Sequence, residues 1–325
     1  MAIDSNVYSS KQFELFIAPQ SAMGTANSTN SDFVKLEVVS VNDVDFGGGL
    51  IQERNLRSGQ QIKKSTDHYV SQKGATASLE FEWVVSHKEG LIQLMKMISE
   101  DTSSAFEVAG TFSPATYKHG ATSGQMATVI VSNPNTGDDR IMHSAVLTSL
   151  DISMDAGSEG GRMVASGTLM SGYKPVVGAS TVAPSGTETA FVKTIYDCTT
   201  KTLGGSDVVA RAMSLSFGYP AMRVGFQGNN AEAEQYGRSG EYTLSGSVTV
   251  KYDANTDGEL GQFLAGSTRA VAMGDGGSAL HFSVPTAVYT GFNIDLGDSE
   301  EGTFVEVPFE ATANGSANLF SITVA

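Results

Sequence analysis

The run Asp253-Ala-Asn255-Thr-Asp257-Gly258 comes nearest, of any segment in this chain, to a spacing that does chemistry. Oxygen-bearing side chains at alternate positions ahead of a glycine turn are how a calcium-binding D-x-N-x-D-G loop begins. The bidentate glutamate that completes such a loop belongs at its twelfth position, where this chain has Leu264. The competing expectation is an Asx turn carrying a strand into a helix, with Asp253 accepting backbone N–H groups. His68, His87, His119, His143 and His281 show no H-x-x-x-H spacing and no cysteine pairing, so metal ligation has no local support. No G-x-S-x-G elbow is present, and Cys198 has no basic neighbour before Lys201 to favour a thiolate. Gly274-Asp-Gly-Gly-Ser reads as a turn, since neither a lysine nor an amphipathic helix follows as a phosphate cradle requires. Catalytic, cofactor and metal residues are therefore expected to be none.

Composition narrows the field further. The 325 residues carry 20 Lys and Arg against 35 Asp and Glu, a net charge of −15, with 36 Gly, one Cys and one Trp. A chain of this length suits two units of ordinary size. Charged residues make up 17%, below the roughly 25% usual for globular chains, which together with abundant Gly, Ser, Thr and Val favours strands and turns. The acidic balance repels phosphate backbones and argues against a nucleic-acid binder. A lone cysteine closes no intramolecular disulfide. Nothing at Met1-Ala-Ile-Asp resembles a secretion signal, and no apolar run approaches the roughly 18 residues that span a bilayer, so a soluble chain is expected.

These few chemical candidates must be positioned by strands. Ser78-Leu-Glu-Phe-Glu-Trp-Val alternates, with Leu79, Phe81 and Trp83 on one face and Glu80 and Glu82 on the other. A helix follows, its Leu91, Leu94, Met95 and Ile98 at i, i+3, i+4, i+7 behind a Ser86/Glu89 capping pattern. Tyr242, Leu244, Val248, Val250 and Tyr252 alternate in the same way, and a helix over Asp257–Leu264 follows them, ending at Gly266. Displacement by 169 residues lays Leu79, Phe81, Trp83, Leu91, Leu94 and Met95 on Val248, Val250, Tyr252, Leu260, Phe263 and Leu264. Each half then continues into a hairpin around a Gly-rich turn, at Gly157 and at Gly297. The expected organisation is all-β with one short helix per domain: two tandem β-sandwiches at 1–171 and 191–325, joined by a Pro/Gly/Ser/Thr-rich linker at 172–190. Residues 21–32 read as an arm or extended loop, and residues 46–73 as a long loop with five cations, Arg54, Arg57, Lys63, Lys64 and Lys73.

Strand, short helix and Gly-turned hairpin, repeated behind a long cationic loop, resembles the tail tube proteins of long-tailed bacteriophages, in their two-domain form. The resembling segments are Gly74-Ala-Thr-Ala-Ser-Leu-Glu-Phe-Glu-Trp with the helix Leu91–Ile98, Met126-Ala-Thr-Val-Ile-Val, Val146-Leu-Thr-Ser-Leu-Asp-Ile-Ser, Gly240 to Asp253, and Gly266-Ser-Thr-Arg-Ala-Val-Ala-Met. They cover most of residues 40–170 and 210–312. The resemblance implies a structural virion protein without enzymatic activity or cofactor, assembled in the host bacterial cytoplasm. It implies inner sheets joined around a ring as a continuous barrel, with trimeric rings of pseudo-sixfold symmetry stacked into a tube. Its partners would be further copies, a tape measure protein and tail terminator or tip proteins, with DNA passing through unbound. On that reading Arg54, Arg57, Lys63, Lys64 and Lys73 make contacts between rings, and Glu80, Glu82, Asp151, Asp155 and Asp295 line the lumen. The alternative is a calcium-dependent β-sandwich carbohydrate-binding or adhesion module built on the Asp253 loop.

Overall fold

A computed structural model describes residues 10–42, 44–46, 51–53, 68–70, 77–99, 109–112, 126–133, 137–178, 180, 182–218, 221–225, 232–238, 240–276, 279–296, 302–313 and 318–325, and the structural statements below concern these. In chain order the first half holds β1 (Glu14–Pro19), β2 (Val34–Leu36), β3 (Val38–Val41), β4 (Asp45–Phe46), β5 (Ile51–Glu53), β6 (His68–Val70), β7 (Ala77–Val84), α1 (Lys88–Ser99), β8 (Gly110–Phe112), β9 (Ala127–Ser132), β10 (Asp139–Asp155), β11 (Met163–Ser171) and β12 (Val176–Gly178). The second half holds β13 (Thr200–Leu203), β14 (Ser206–Asp207), β15 (Ala210–Gly218), β16 (Ala221–Val224), β17 (Gln235–Arg238), β18 (Thr243–Lys251), α2 (Ala254–Leu264), β19 (Thr268–Gly274), β20 (Leu280–Tyr289), β21 (Asn293–Asp295), β22 (Phe304–Ala311) and β23 (Ser321–Val324). The chain is mostly β, as its composition and alternation require.

The strands form an inner sheet backed by outer sheets. The inner sheet runs in the order β3/β4, β7, β11, β10, β15, β18, β22, β21, antiparallel throughout. It crosses from one half to the other between β10 and β15 without interruption. Outside it lie β2–β1–β9–β10–β12 and β14–β13–β19–β20–β23–β8. Strand β8 belongs to the first half by sequence, yet it pairs with β23 of the second. β10 serves both layers because it bends at Ser144, whose φ is +52°. Gln20 holds that bend, accepting from Ser144 N at 2.7 Å and donating to Ser144 Oγ at 2.8 Å.

Alternation on the inner sheet puts its apolar side on the core. One cross-strand row reads Trp83, Ala165, Ile152, Leu215, Gly246, Phe309, and the next reads Phe81, Gly167, Leu150, Phe217, Leu244. The two glycines make room: a Cβ on Gly246 would lie 2.5 Å from Ser214 O and 2.7 Å from the Phe309 ring, and one on Gly167 would lie 2.7 Å from Ser149 O. These rows belong to one contiguous cluster that draws on both halves. Each large side chain buried there contributes about 1.5–3 kcal/mol.

The segment 172–190, which its composition casts as a free linker, is fixed along much of its length. β12 pairs with β10, Ser185 N and Gly186 N donate to Asn30 O and Phe33 O, and Thr189 N donates to Glu89 Oε2 at 2.9 Å. Its small residues permit close backbone approach, which composition alone does not distinguish from flexibility. Residues 21–32 are likewise docked, with Asn27 N donating to Thr128 Oγ1 at 2.8 Å.

Both helices fall where expected but are capped differently. At α1 the cap is His87: its Nδ1 accepts from Gly90 N at 3.2 Å, so Nε2 carries the proton and donates to Lys35 O. The Ser86 hydroxyl has no partner among the described residues. α2 starts at Ala254 rather than Asp257.

The inner strands of the two halves pair in the same order, at a displacement that differs from the one read in the alternation. β3 carries a bulge at Val39, opposite Trp83/Glu82 of β7, and β15 carries one at Arg211, opposite Val250/Thr249 of β18. Trp83 therefore corresponds to Val250, two residues short of Tyr252. Leu264, laid on Met95 by the 169-residue shift, is 77% exposed, and α2 turns Thr256 and Glu259 inward with Leu260 and Phe263 half-buried. An even shift preserves every face of a strand, so alternation does not fix the register.

Candidate functional site

The side of the inner sheet away from the core is a polar surface spanning both halves. One row crosses it as Ser40, Glu82, Ser166, Asp151, Ser216, Ser245, Glu310. Another reads Glu80, Thr168, Ser149, Gly218, Thr243, and a third reads Asp155, Ala212, Thr249, Glu306, Asn293. All five acidic residues singled out in the sequence, Glu80, Glu82, Asp151, Asp155 and Asp295, are exposed on this one face. Glu80, Glu82 and Asp151 border an open depression of about 270 Å³. Glu306 and Glu310 join them and were missed, although the alternation Val305-Glu-Val-Pro-Phe-Glu carries the signal. Hydroxyls dominate between the carboxylates, and Ser214 and Ser247 bond across the strands at 3.0 Å.

The strands at the two ends of this sheet have no second strand partner among the described residues. At one end β3 and β4 pair only with β7, beside a groove of about 470 Å³ lined by Phe13, Val38, Val39 and Val41. At the other end β21 pairs only with β22. The repeat relates these ends to the internal junction. Ser171 and Ala311 occupy the same register on Ala145 and Ala287, which makes Asn293–Asp295 the counterpart of Asp151–Ser153 and Leu296 that of Met154. Met154 is 1% exposed, covered at the β10·β15 junction, whereas Leu296 is 84% exposed.

A second contact ties the halves beside that junction. The hairpin β16–β17 reaches from the second half onto the first, where the Tyr236 hydroxyl donates to Ser144 O at 2.6 Å and accepts from Gly172 N at 2.8 Å. Tyr173 donates to Ala233 O at 2.9 Å, and these residues with Met126 and Val146 make a small buried cluster. Burial pushes the Tyr236 phenol up to about 12 and holds the neighbouring His143 imidazole below its usual value. No sequence pattern marked Tyr236.

The residues weighed for chemistry have structural partners. Asp253 is the N-cap of α2, its Oδ1 accepting from Asn255 N at 3.0 Å and Thr256 N at 3.2 Å, and Asp257 Oδ1 accepts from Tyr252. Among the described residues no three His, Cys, Asp or Glu side chains are arranged to hold a metal ion. Cys198 is buried, and burial pushes its thiol up to about 11. Arg54, Arg57, Lys63, Lys64 and Lys73 lie outside the described residues, apart from the flanking strands β5 and β6, which pair as a separate hairpin. No described helix is long and apolar enough to cross a membrane. Comparison with protein-family models and with curated proteins returns no match to this chain.

Proposed function

We propose that this chain is a structural subunit that joins copies of itself head to tail into a ring, and that stacked rings form a bacteriophage tail tube through which DNA passes. The observation that carries this reading is the β10·β15 junction. It unites two similar halves edge to edge, and the equivalent strands, β3/β4 and β21, lie at the two ends of the sheet with a strand partner on one side only among the described residues. A heterologous contact repeated by rotation closes into a ring, and exposed edges that would otherwise promote aggregation are used up in doing so. The exposure of Leu296 and the groove beside β3 support the same joint. With two halves per chain, a trimeric ring holds six similar units, the number that the resemblance to tube proteins implies.

On this reading the hydroxyl- and carboxylate-bearing face lines the lumen, where fixed negative charge keeps phosphates from adhering. On the same reading the cations Arg54, Arg57, Lys63, Lys64 and Lys73 meet the acidic surface of a neighbouring ring. The role is architectural rather than catalytic. Negative-stain imaging and native mass measurement of the purified chain at high concentration test it. Rings of three 34.0 kDa chains are expected. A chain that stays monomeric at every concentration overturns the reading, and rings of six chains overturn the equivalence of the two halves.

A further inference from the structure

The repeat supplies a residue-by-residue register for the joint between copies. At the internal junction Met154 faces Met213, Ser153 faces Ser214 and Asp151 faces Ser216. On one side of the joint, Leu296, Asp295 and Asn293 are the counterparts of Met154, Ser153 and Asp151. On the other, with Trp83 matched to Val250, Val41 faces Phe81 as Met213 faces Val248, and Asp45 faces Ser78 as Ser216 faces Ser245. Between these two positions Asn42 N donates to Glu80 O at 3.1 Å, which sets Asn42 opposite Glu80 as Ser214 stands opposite Ser247.

We infer that the joint between copies keeps this register, with Leu296 of one copy opposite Val41 of the next, Asp295 opposite Asn42 and Asn293 opposite Asp45, an inference that rests on the ring reading above. Apart from the half-buried Val41, these residues are exposed in the single chain, Leu296 by 84%. In the joint Leu296 enters the groove beside β3, where Phe13, Val38 and Val41 already pack against the core. It completes the apolar side of the sheet there as Met154 does beside Met213, both of which are buried. On the polar side each carboxylate meets an amide able to donate to it. A slide that brought Asp295 level with Asp45 would set two carboxylates directly opposite each other, an unfavourable pairing on neighbouring strands. The polar pairs thereby fix a register that alternation alone leaves free.

Leu296→Cys with Val41→Cys tests the register, because opposed residues on antiparallel strands have Cα atoms about 4.5–5.5 Å apart, within reach of a disulfide. Cys198 is buried and stays out of the reaction. Under mild oxidation a chain carrying both substitutions is expected to close covalently at the number of copies in one ring. Leu296→Cys with Val38→Cys, on the same side of the sheet but displaced along the strand, is expected to remain largely without cross-links. Rings that cross-link through Val38 rather than Val41, or through neither, overturn the register and leave the ring reading intact, whereas absence of rings from the unsubstituted chain removes both. The polar pairs give a second measurement that needs no cysteine. Asn293→Asp, by opposing two carboxylates, should raise the concentration needed for assembly roughly threefold, and Asp45→Asn added to the same chain should restore it. A recovery no greater than Asp45→Asn produces on its own would count against the pairing.

Discussion

Arg269 grips Glu259 through two parallel hydrogen bonds, Nε to Oε2 at 2.9 Å and Nη2 to Oε1 at 2.6 Å, and so pins α2 to β19. The Glu259 side chain is 4% exposed, and Tyr289 adds a third bond to its Oε2 at 2.9 Å. Arg269 also donates to Gly204 O at 3.0 Å, tying in the turn between β13 and β14.

Glu259→Ala leaves the guanidinium and the Tyr289 hydroxyl without their shared acceptor in a largely buried place. A loss of about 3 kcal/mol is expected, because breaking one partner of a buried pair is costlier than never having built it. Urea denaturation checks this, and a loss under about 1 kcal/mol would mean that water replaces the carboxylate freely.

Stability should fall in alkali in a way that Tyr236 partly controls. Its folded value of about 12 stands above the 10.0 of an unperturbed phenol, chiefly through burial, so the unfolded chain releases this proton first. The contribution is complete below pH 10 and is lost as pH rises towards 12, amounting to about 2–3 kcal/mol. Denaturation midpoints of the parent and Tyr236→Phe chains, followed across that window, should converge; parallel curves would rule the linkage out.

Leu296→Asp is expected to leave the isolated chain as stable as the parent, within about 0.5 kcal/mol, because the residue is already 84% exposed. Ring formation should nevertheless be lost, since a carboxylate would have to enter the place that Met154 fills at the internal junction. Sedimentation beside a thermal melt separates the two effects. Rings formed normally by this variant would show that β21 is not a ring edge.

Asp253 distinguishes capping from calcium binding. Asp253→Ala should cost about 1 kcal/mol and Asp253→Asn very little, since asparagine caps as well as aspartate. Thermal melts with calcium and with a chelator should coincide for all three chains. A melting temperature of the parent raised by calcium, and not raised in Asp253→Asn, would favour the calcium-dependent module.

The sequence by itself determined the strands at Ala77–Val84 and Thr243–Lys251, the faces of their side chains, and the placing of both helices. It also put Glu80, Glu82 and Asp151 on polar faces, and it offered the turn that Asp253 makes. These are local properties: alternation and capping act within a few residues and leave a direct trace in residue order. Only the tertiary structure decided that Trp83 matches Val250, that residues 172–190 are docked, that β10 and β15 merge two polar faces into one, and that Tyr236 bridges Ser144 and Gly172. A pattern of period two is unchanged by a shift of two, and the partner of an edge strand or of a buried hydroxyl lies far away in sequence. Such choices are made by what fits in three dimensions once the faces are set.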